Sequence, residues 1–269
     1  MNQDKELIEY CIRHMSSKEL IHELYSNNGI RHAKSDTYAK LAKRIDDENS
    51  PEMDLEKLVH YFRANWSPSP LDLHLKNLKS GALRGHDWHG AMPSMLHLSM
   101  QNRVRDCING KINLGELINI GSDIMKHEYF IVATHDLLET SIIEAFEDVI
   151  PPIGKKSISD FVYKGLPYDL KNTNYFNDWT KESVNRSKKE VAEDLIKGAD
   201  IARIRKQAEG SINGWGLNRF YVMIEDQDRW NEEPEKILEM VLDEIKELGE
   251  PFDVEVEDNI TFKAHIVAI

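Results

Sequence analysis

The chain has 269 residues, 41% of them apolar and 30% charged, with 14 glycines and 9 prolines. This composition excludes collagen-like, low-complexity and wholly disordered classes, and the length suffices for a core in one large domain or two modest ones. The formal charge of −13 argues on average against a polyanionic partner, but it is unevenly spread: residues 155–220 carry a net of +4 and residues 225–258 a net of −12. No apolar run approaches the ~18 residues of a membrane span, and Met1-Asn2-Gln3-Asp4-Lys5 lacks the pattern of a signal peptide, so no membrane partner and a cytoplasmic location are expected. Cys11 and Cys107 match no disulfide or zinc spacing and are read as reduced thiols.

Residues 1–70 read as a helical region. Ser16-Ser17-Lys18-Glu19 offers a capping box ahead of Leu20, Ile21 and Leu24, and Asn28-Gly29 closes that helix. A second helix is expected from Ser35 or Asp36 through Ile45. A third follows Ser50-Pro51, with Leu55, Leu58, Val59 and Phe62 on one face. Arg31, Lys34, Lys40, Lys43 and Arg44 form a basic island that suits either a helix-turn-helix reader of DNA or the solvated face of a plain bundle.

Ser67-Pro68-Ser69-Pro70 marks a boundary, and residues 71–133 are expected to form a helical connecting region with a Gly- and His-rich stretch at 81–97. Helices are predicted over 92–108, 113–126 and 135–149, the last stopped by Pro151-Pro152.

Residues 134–269 form the third expected region. Strand character over 158–163 and 166–173 flanks Lys164-Gly165; a helix over 179–209 and a strand over Arg219–Ile224 follow. Pro234 opens an amphipathic helix, and two alternating runs meet at Asp258-Asn259. The fold class expected is α/β (α+β), a helical N-terminal half followed by a mixed sheet flanked by helices.

The chemistry concentrates in residues 159–173. If Lys164-Gly165 is a two-residue turn, Tyr163 pairs with Leu166 and Asp160 stands opposite Asp169. Like charges at that spacing destabilise a sheet unless something neutralises them. Asp169 and Lys171 share a face, with Leu170 on the other, so two carboxylates and an ammonium converge. Hard oxygen donors of this kind suit Mg²⁺, and a neighbouring lysine can orient an attacking water. Glu244-Ile245-Lys246 also spells acid-x-lysine, but in a helical pattern where residues two apart diverge. An ordinary solvated Asp–Lys pair is the competing reading of the hairpin.

At these residues, over roughly 135–225, the sequence resembles the PD-(D/E)xK nuclease superfamily, and within it a type II restriction endonuclease. The resemblance implies a restriction-endonuclease-like fold and a Mg²⁺-dependent endodeoxyribonuclease acting on double-stranded DNA as a homodimer. Asp160 and Asp169 would bind the metal, Leu170 would lend its carbonyl, and Lys171 would assist the water. A helix glutamate is also implied, with Glu144 the best match and Glu139 and Glu147 its rivals. Ser159 stands where the motif has proline, and no clear strand separates the 135–149 helix from Asp160. Asn172, Thr173, Lys188, Lys189, Arg203, Arg205 and Lys206 are the candidate DNA contacts, with Lys181 and Arg186 nearby; a solvated helix face explains these charges as well.

A repair or recombination nuclease of the same superfamily and a non-catalytic DNA-binding module are the alternatives. His86, His89 and His97 have metal-like spacing but sit in a loop pattern without supporting acids. His86-Asp87 and His135-Asp136 resemble the pair of helical metal phosphohydrolases, which need a further histidine and a distant aspartate. Trp179 and Trp215 suit base stacking or local packing equally.

Overall fold

The computed structural model describes residues 3–44, 53–80, 92–154, 157–174, 186–197, 218–224, 229–257 and 260–269. Four helices come first: α1 (Gln3–His14), α2 (Lys18–Asn27), α3 (Tyr38–Lys43) and α4 (Leu55–Asn65). They are followed by α5 (Leu71–Ser80), α6 (Met92–Ile108) and α7 (Leu114–Ala145). The second half runs β1 (Phe161–Tyr163), β2 (Leu166–Asn174), α8 (Lys188–Lys197), β3 (Arg219–Ile224), α9 (Arg229–Glu232), α10 (Pro234–Lys246), β4 (Phe252–Glu257) and β5 (Ile260–Ala268). The protein is therefore mixed α/β, a helical first half followed by a mixed sheet with helices. Among the described residues no helix is long and apolar enough to cross a membrane.

Several boundaries depart from the sequence reading, each for a local reason. The cap of α2 is Ser17, whose hydroxyl accepts the Leu20 N–H at 3.3 Å; the Ser16 hydroxyl instead donates back to the Ile12 carbonyl at 2.6 Å. Ser17→Ala is accordingly expected to cost about 1 kcal/mol in urea denaturation. Thr37, not Ser35 or Asp36, caps α3, and the Asp36 carboxylate accepts the Ala33 N–H at 2.9 Å. The helices expected over 113–126 and 135–149 are one helix, α7, of 32 residues, because residues 127–134 contain no glycine or proline to interrupt it. Asn113 and Glu116 cap α7 reciprocally, at 2.9 and 2.8 Å. At its other end the Arg63 guanidinium donates to the carbonyls of Ile143, Phe146 and Val149 at 2.9–3.0 Å, satisfying groups the helix leaves bare. Helix α5 was not anticipated. Of the helix expected over 179–209, α8 covers Lys188–Lys197; Arg186 and Ser187 precede it in non-helical backbone, and the other residues lie outside the described ones.

The chain divides into two compact units, one of Met1–Pro68, Ser141–Glu225 and Val241–Ile269, the other of Ser69–Thr140 and Asp226–Met240. Residues 1–68 thus belong with the sheet instead of standing apart. Their apolar stripes pack mainly on one another, through Leu7, Tyr10, Ile12, Ile21, Leu24, Tyr25, Leu58 and Phe62, and the cluster takes in Ile150 and Val162 from the sheet side.

In the first unit the described strands form a five-stranded sheet in the order β1-β2-β3-β5-β4. β2, β3 and β5 are parallel; β1 and β4 pair antiparallel with β2 and β5 at the edges. One face carries Phe161, Tyr163, Tyr168, Phe220 and His265, packed ring against ring, with the Tyr163 hydroxyl donating to the Ile245 carbonyl at 3.3 Å. The other buries Tyr221, Met223, Ala264 and Ile266 under Val191, Ala192 and Ile196 of α8. Between α7 and β1 a single residue, Ile150, bridges to Val162 with two backbone hydrogen bonds at 2.9–3.0 Å.

In the second unit α5 packs against α9, whose Trp230 is fully buried, and Lys79 of α5 pairs with Glu235 at 2.5 Å.

Candidate active site

The hairpin turns at Lys164 (φ 47°) and Gly165 (φ 77°), both left-handed, the condition for the two-residue turn whose twist matches its strands. Glycine meets that condition without strain. Lys164 is held there by donation from its ammonium to the Leu248 carbonyl at 2.9 Å and by its place 5.2 Å above the Tyr163 ring. The register follows: Tyr163 opposes Leu166, Phe161 opposes Tyr168, and the Asp160 N–H donates to the Tyr168 carbonyl at 2.8 Å.

The two acids stand four positions out from the turn, one on each arm. The Asp160 carboxylate accepts the Leu170 N–H at 2.6 Å. Asp169 takes the Lys171 ammonium on one oxygen at 2.5 Å and has the Arg219 guanidinium 3.4 Å from the other. Leu170, fully buried, points to the aromatic face, so strand alternation sends Asp169 and Lys171 to the α8 side. Lys171 is 41% exposed at its side chain and Asp169 16%, so the cluster opens to solvent at the lysine. Its oxygens would suit a hard cation.

Two participants were not visible in the sequence reading. Arg219 reaches Asp169 because β2 and β3 pair in parallel with these residues in register, and the Asn218 amide locks that pairing by donating to the Pro167 carbonyl at 3.0 Å while its oxygen accepts the Lys263 N–H at 2.9 Å. The start of β3 at Arg219 was readable; its neighbour in the sheet was not. Tyr10 of α1 shares a 2.6 Å hydrogen bond with Ser159, the residue before Asp160, and burial pushes its phenol well above the usual range. No local signal marks Tyr10 beyond its place on the apolar stripe.

Glu144 lies exposed in the last turn of α7. Glu147 lines a groove with Arg63, Lys164 and Gly165, at the turn end of the hairpin and away from the acids. Glu139 stands beside His135 in the other unit. Asn172 and Thr173 continue β2 opposite Val222 and Met223. Lys188 and Lys189 are exposed at the start of α8, where Lys189 pairs with Glu193 at 4.0 Å, and the Arg186 guanidinium bonds the Asp194 carboxylate. Lys181, Arg203, Arg205, Lys206, Trp179, Trp215, His86 and His89 lie outside the described residues; His97 falls within α6. In the basic island of the first helices, Arg44 pairs with Asp36 at 3.6 Å.

No protein-family model, curated protein or solved structure matches this chain.

Proposed function

We propose that the protein is a Mg²⁺-dependent endodeoxyribonuclease of the PD-(D/E)xK type, a sequence-specific type II restriction enzyme acting as a homodimer on double-stranded DNA. The observation that carries this reading is the single hairpin end where the Asp160 carboxylate sits on the Leu170 amide while Lys171 and Arg219 attend Asp169. The donor set suits the ion: the Asp160 carboxylate just ahead of β1 and the Asp169 carboxylate on β2, with the backbone carbonyl of Leu170, would supply the hard oxygens a magnesium ion takes. Bound there, Mg²⁺ would offset charge on the scissile phosphate and make a nearby water more acidic.

The chain's own groups divide the remaining work. Lys171, with its exposed ammonium, orients the water whose oxygen attacks phosphorus as the bond to the leaving oxygen breaks; the attacking water gives up a proton to solvent and the leaving oxygen takes one from solvent. Arg219, with a side chain only 10% exposed, keeps its charge beside Asp169 when Lys171 turns to the water. Tyr10 and Ser159 hold the approach to Asp160 in place. Lys188 and Lys189 on the solvent side of α8 supply phosphate contacts. A palindromic duplex presents two equivalent strands, which a twofold dimer would cut symmetrically.

Plasmid cleavage is the test. Discrete fragments that require Mg²⁺ and vanish with chelator support the restriction reading. Cutting confined to branched or damaged DNA favours a repair nuclease of the same site chemistry. Binding of duplex DNA without cutting favours a non-catalytic module, and neither binding nor cutting ends the proposal.

A further inference from the structure

Three histidine or acid groups outside the hairpin gather on α7, and a fourth comes from α5. The sequence His135-Asp136-Leu137-Leu138-Glu139 places its polar members at positions i, i+1 and i+4, within about 100° of helix circumference. One ligand atom from each of the three lies within 4.8 Å of the other two. His135 Nδ1 is 3.8 Å from Asp136 Oδ1 and 3.7 Å from Glu139 Oε2. Across the helix pair, His74 Nε2 stands 3.7 Å from Asp136 Oδ2.

The burial of the four groups is graded. His74 is 1% exposed and the Asp136 side chain 9%, whereas His135 and Glu139 are 28% and 22% exposed. The entry to α5 is tied to this stripe of α7: the Ser69 hydroxyl donates to Asp136 and the Ser69 N–H to the Thr140 hydroxyl, both at 3.4 Å. A buried floor of one imidazole and one carboxylate therefore carries a half-open rim of the same two donor types.

The spacing is informative. Separations of 3.7–3.8 Å are too long for the hydrogen bonds that an imidazole and a carboxylate make directly. They are near the roughly 3.4 Å that separates two donors sharing a tetrahedral ion at about 2.0–2.1 Å from each. Mixed imidazole and carboxylate donors favour first-row transition ions over Mg²⁺ or Ca²⁺, which prefer oxygen alone.

We propose that His135, Asp136 and Glu139 bind one divalent transition-metal ion, of the zinc, manganese or iron class, in the second unit, with His74 holding the second oxygen of Asp136 from behind. Asp136 anchors it from below, and the exposed side of the rim leaves a coordination position for water or a small anionic ligand. This site is distinct in residues and in donor chemistry from the hairpin carboxylates, and it stands whether or not the chain cuts DNA.

The test uses the full-length protein, stripped with a chelator and titrated with Co²⁺, followed by visible absorption and calorimetry. The background carries Asp160→Ala and Asp169→Asn, so that the hairpin cannot contribute. The expected result is one equivalent of Co²⁺ bound per chain, with spectral bands of nitrogen ligation. His135→Ala and Glu139→Gln, chosen because their side chains are partly exposed and the fold does not rest on them, should each weaken binding at least about tenfold. His74→Ala should weaken binding less, because His74 acts through Asp136, with circular dichroism at the binding temperature reporting whether it folds. Absence of Co²⁺ uptake, or uptake unchanged in both His135→Ala and Glu139→Gln, would overturn the site. Uptake by the wild-type protein that is lost in this background would likewise overturn it, by assigning the ion to Asp160 and Asp169.

Discussion

Lys171→Ala is expected to lower single-turnover cleavage of plasmid DNA by about two orders of magnitude, the loss expected when the attacking water is no longer held in place. The side chain is partly exposed and its contact is with Asp169 alone in sequence proximity, so folding should survive; near-ultraviolet circular dichroism checks this. DNA binding measured in Ca²⁺ should persist, because removing one ammonium beside Asp169 leaves Arg219 to balance that carboxylate. Lys171→Arg restores the charge but not its reach, and only a small part of the lost rate should return. Asp169→Asn is expected to behave differently, losing cleavage and loosening the β2–β3 junction, where the carboxylate sits between Lys171 and Arg219. Full cleavage by Lys171→Ala would remove the hairpin from the chemistry.

Stability should fall by about 3 kcal/mol between pH 6.5 and pH 4 on account of His265 alone. This imidazole lies in the aromatic face against Tyr163, Tyr168 and Phe220, and its Nε2 has no hydrogen-bond partner among the described residues. Burial, reinforced by the Lys164 ammonium, lowers its pKa from 6.5 to about 4. Between those values the unfolded chain binds the proton that the folded chain refuses, so unfolding becomes easier as the pH drops, and the effect levels off below about 4. The size follows from about 1.4 kcal/mol per unit of pKa difference. Urea denaturation of the wild type and of His265→Leu at several pH values separates this contribution from other titrations: the leucine variant should lose most of the slope across that window. An unchanged slope would show that the face admits a charged imidazole. Phe220→Ala, which empties the centre of the same face, is expected to cost about 3–5 kcal/mol in the same assay.

The local setting of Lys171 was legible in the sequence, whereas that of His265, on a strand read only through its alternating apolar residues, was not. The turn at Lys164-Gly165 set the pairing of Tyr163 with Leu166, and period-two alternation then separated Leu170 from Asp169 and Lys171. Strand β3 was readable to its ends, since Arg219–Ile224 is a short apolar run bounded by polar residues. Where the reading slipped, two local choices were nearly equal in energy. Ser16 and Ser17 both offer a hydroxyl to α2, and the backbone entry angle selected Ser17. The residues joining the two halves of α7 are β-branched and aromatic as well as apolar, so they blurred a helix that nothing actually breaks.

By itself, then, the chain's order of residues determined the hairpin, its register, the face on which its acids and lysine stand, and most helical stripes, because each depends on neighbours a few positions apart. The tertiary structure alone decided the strand order that sets Arg219 against Asp169, the seating of Tyr10 on Ser159, and the approach of His74 to Asp136. Those contacts join residues about 50 to 150 positions apart, and periodicity carries no information across such distances; they form only when apolar faces choose one another in closing a core.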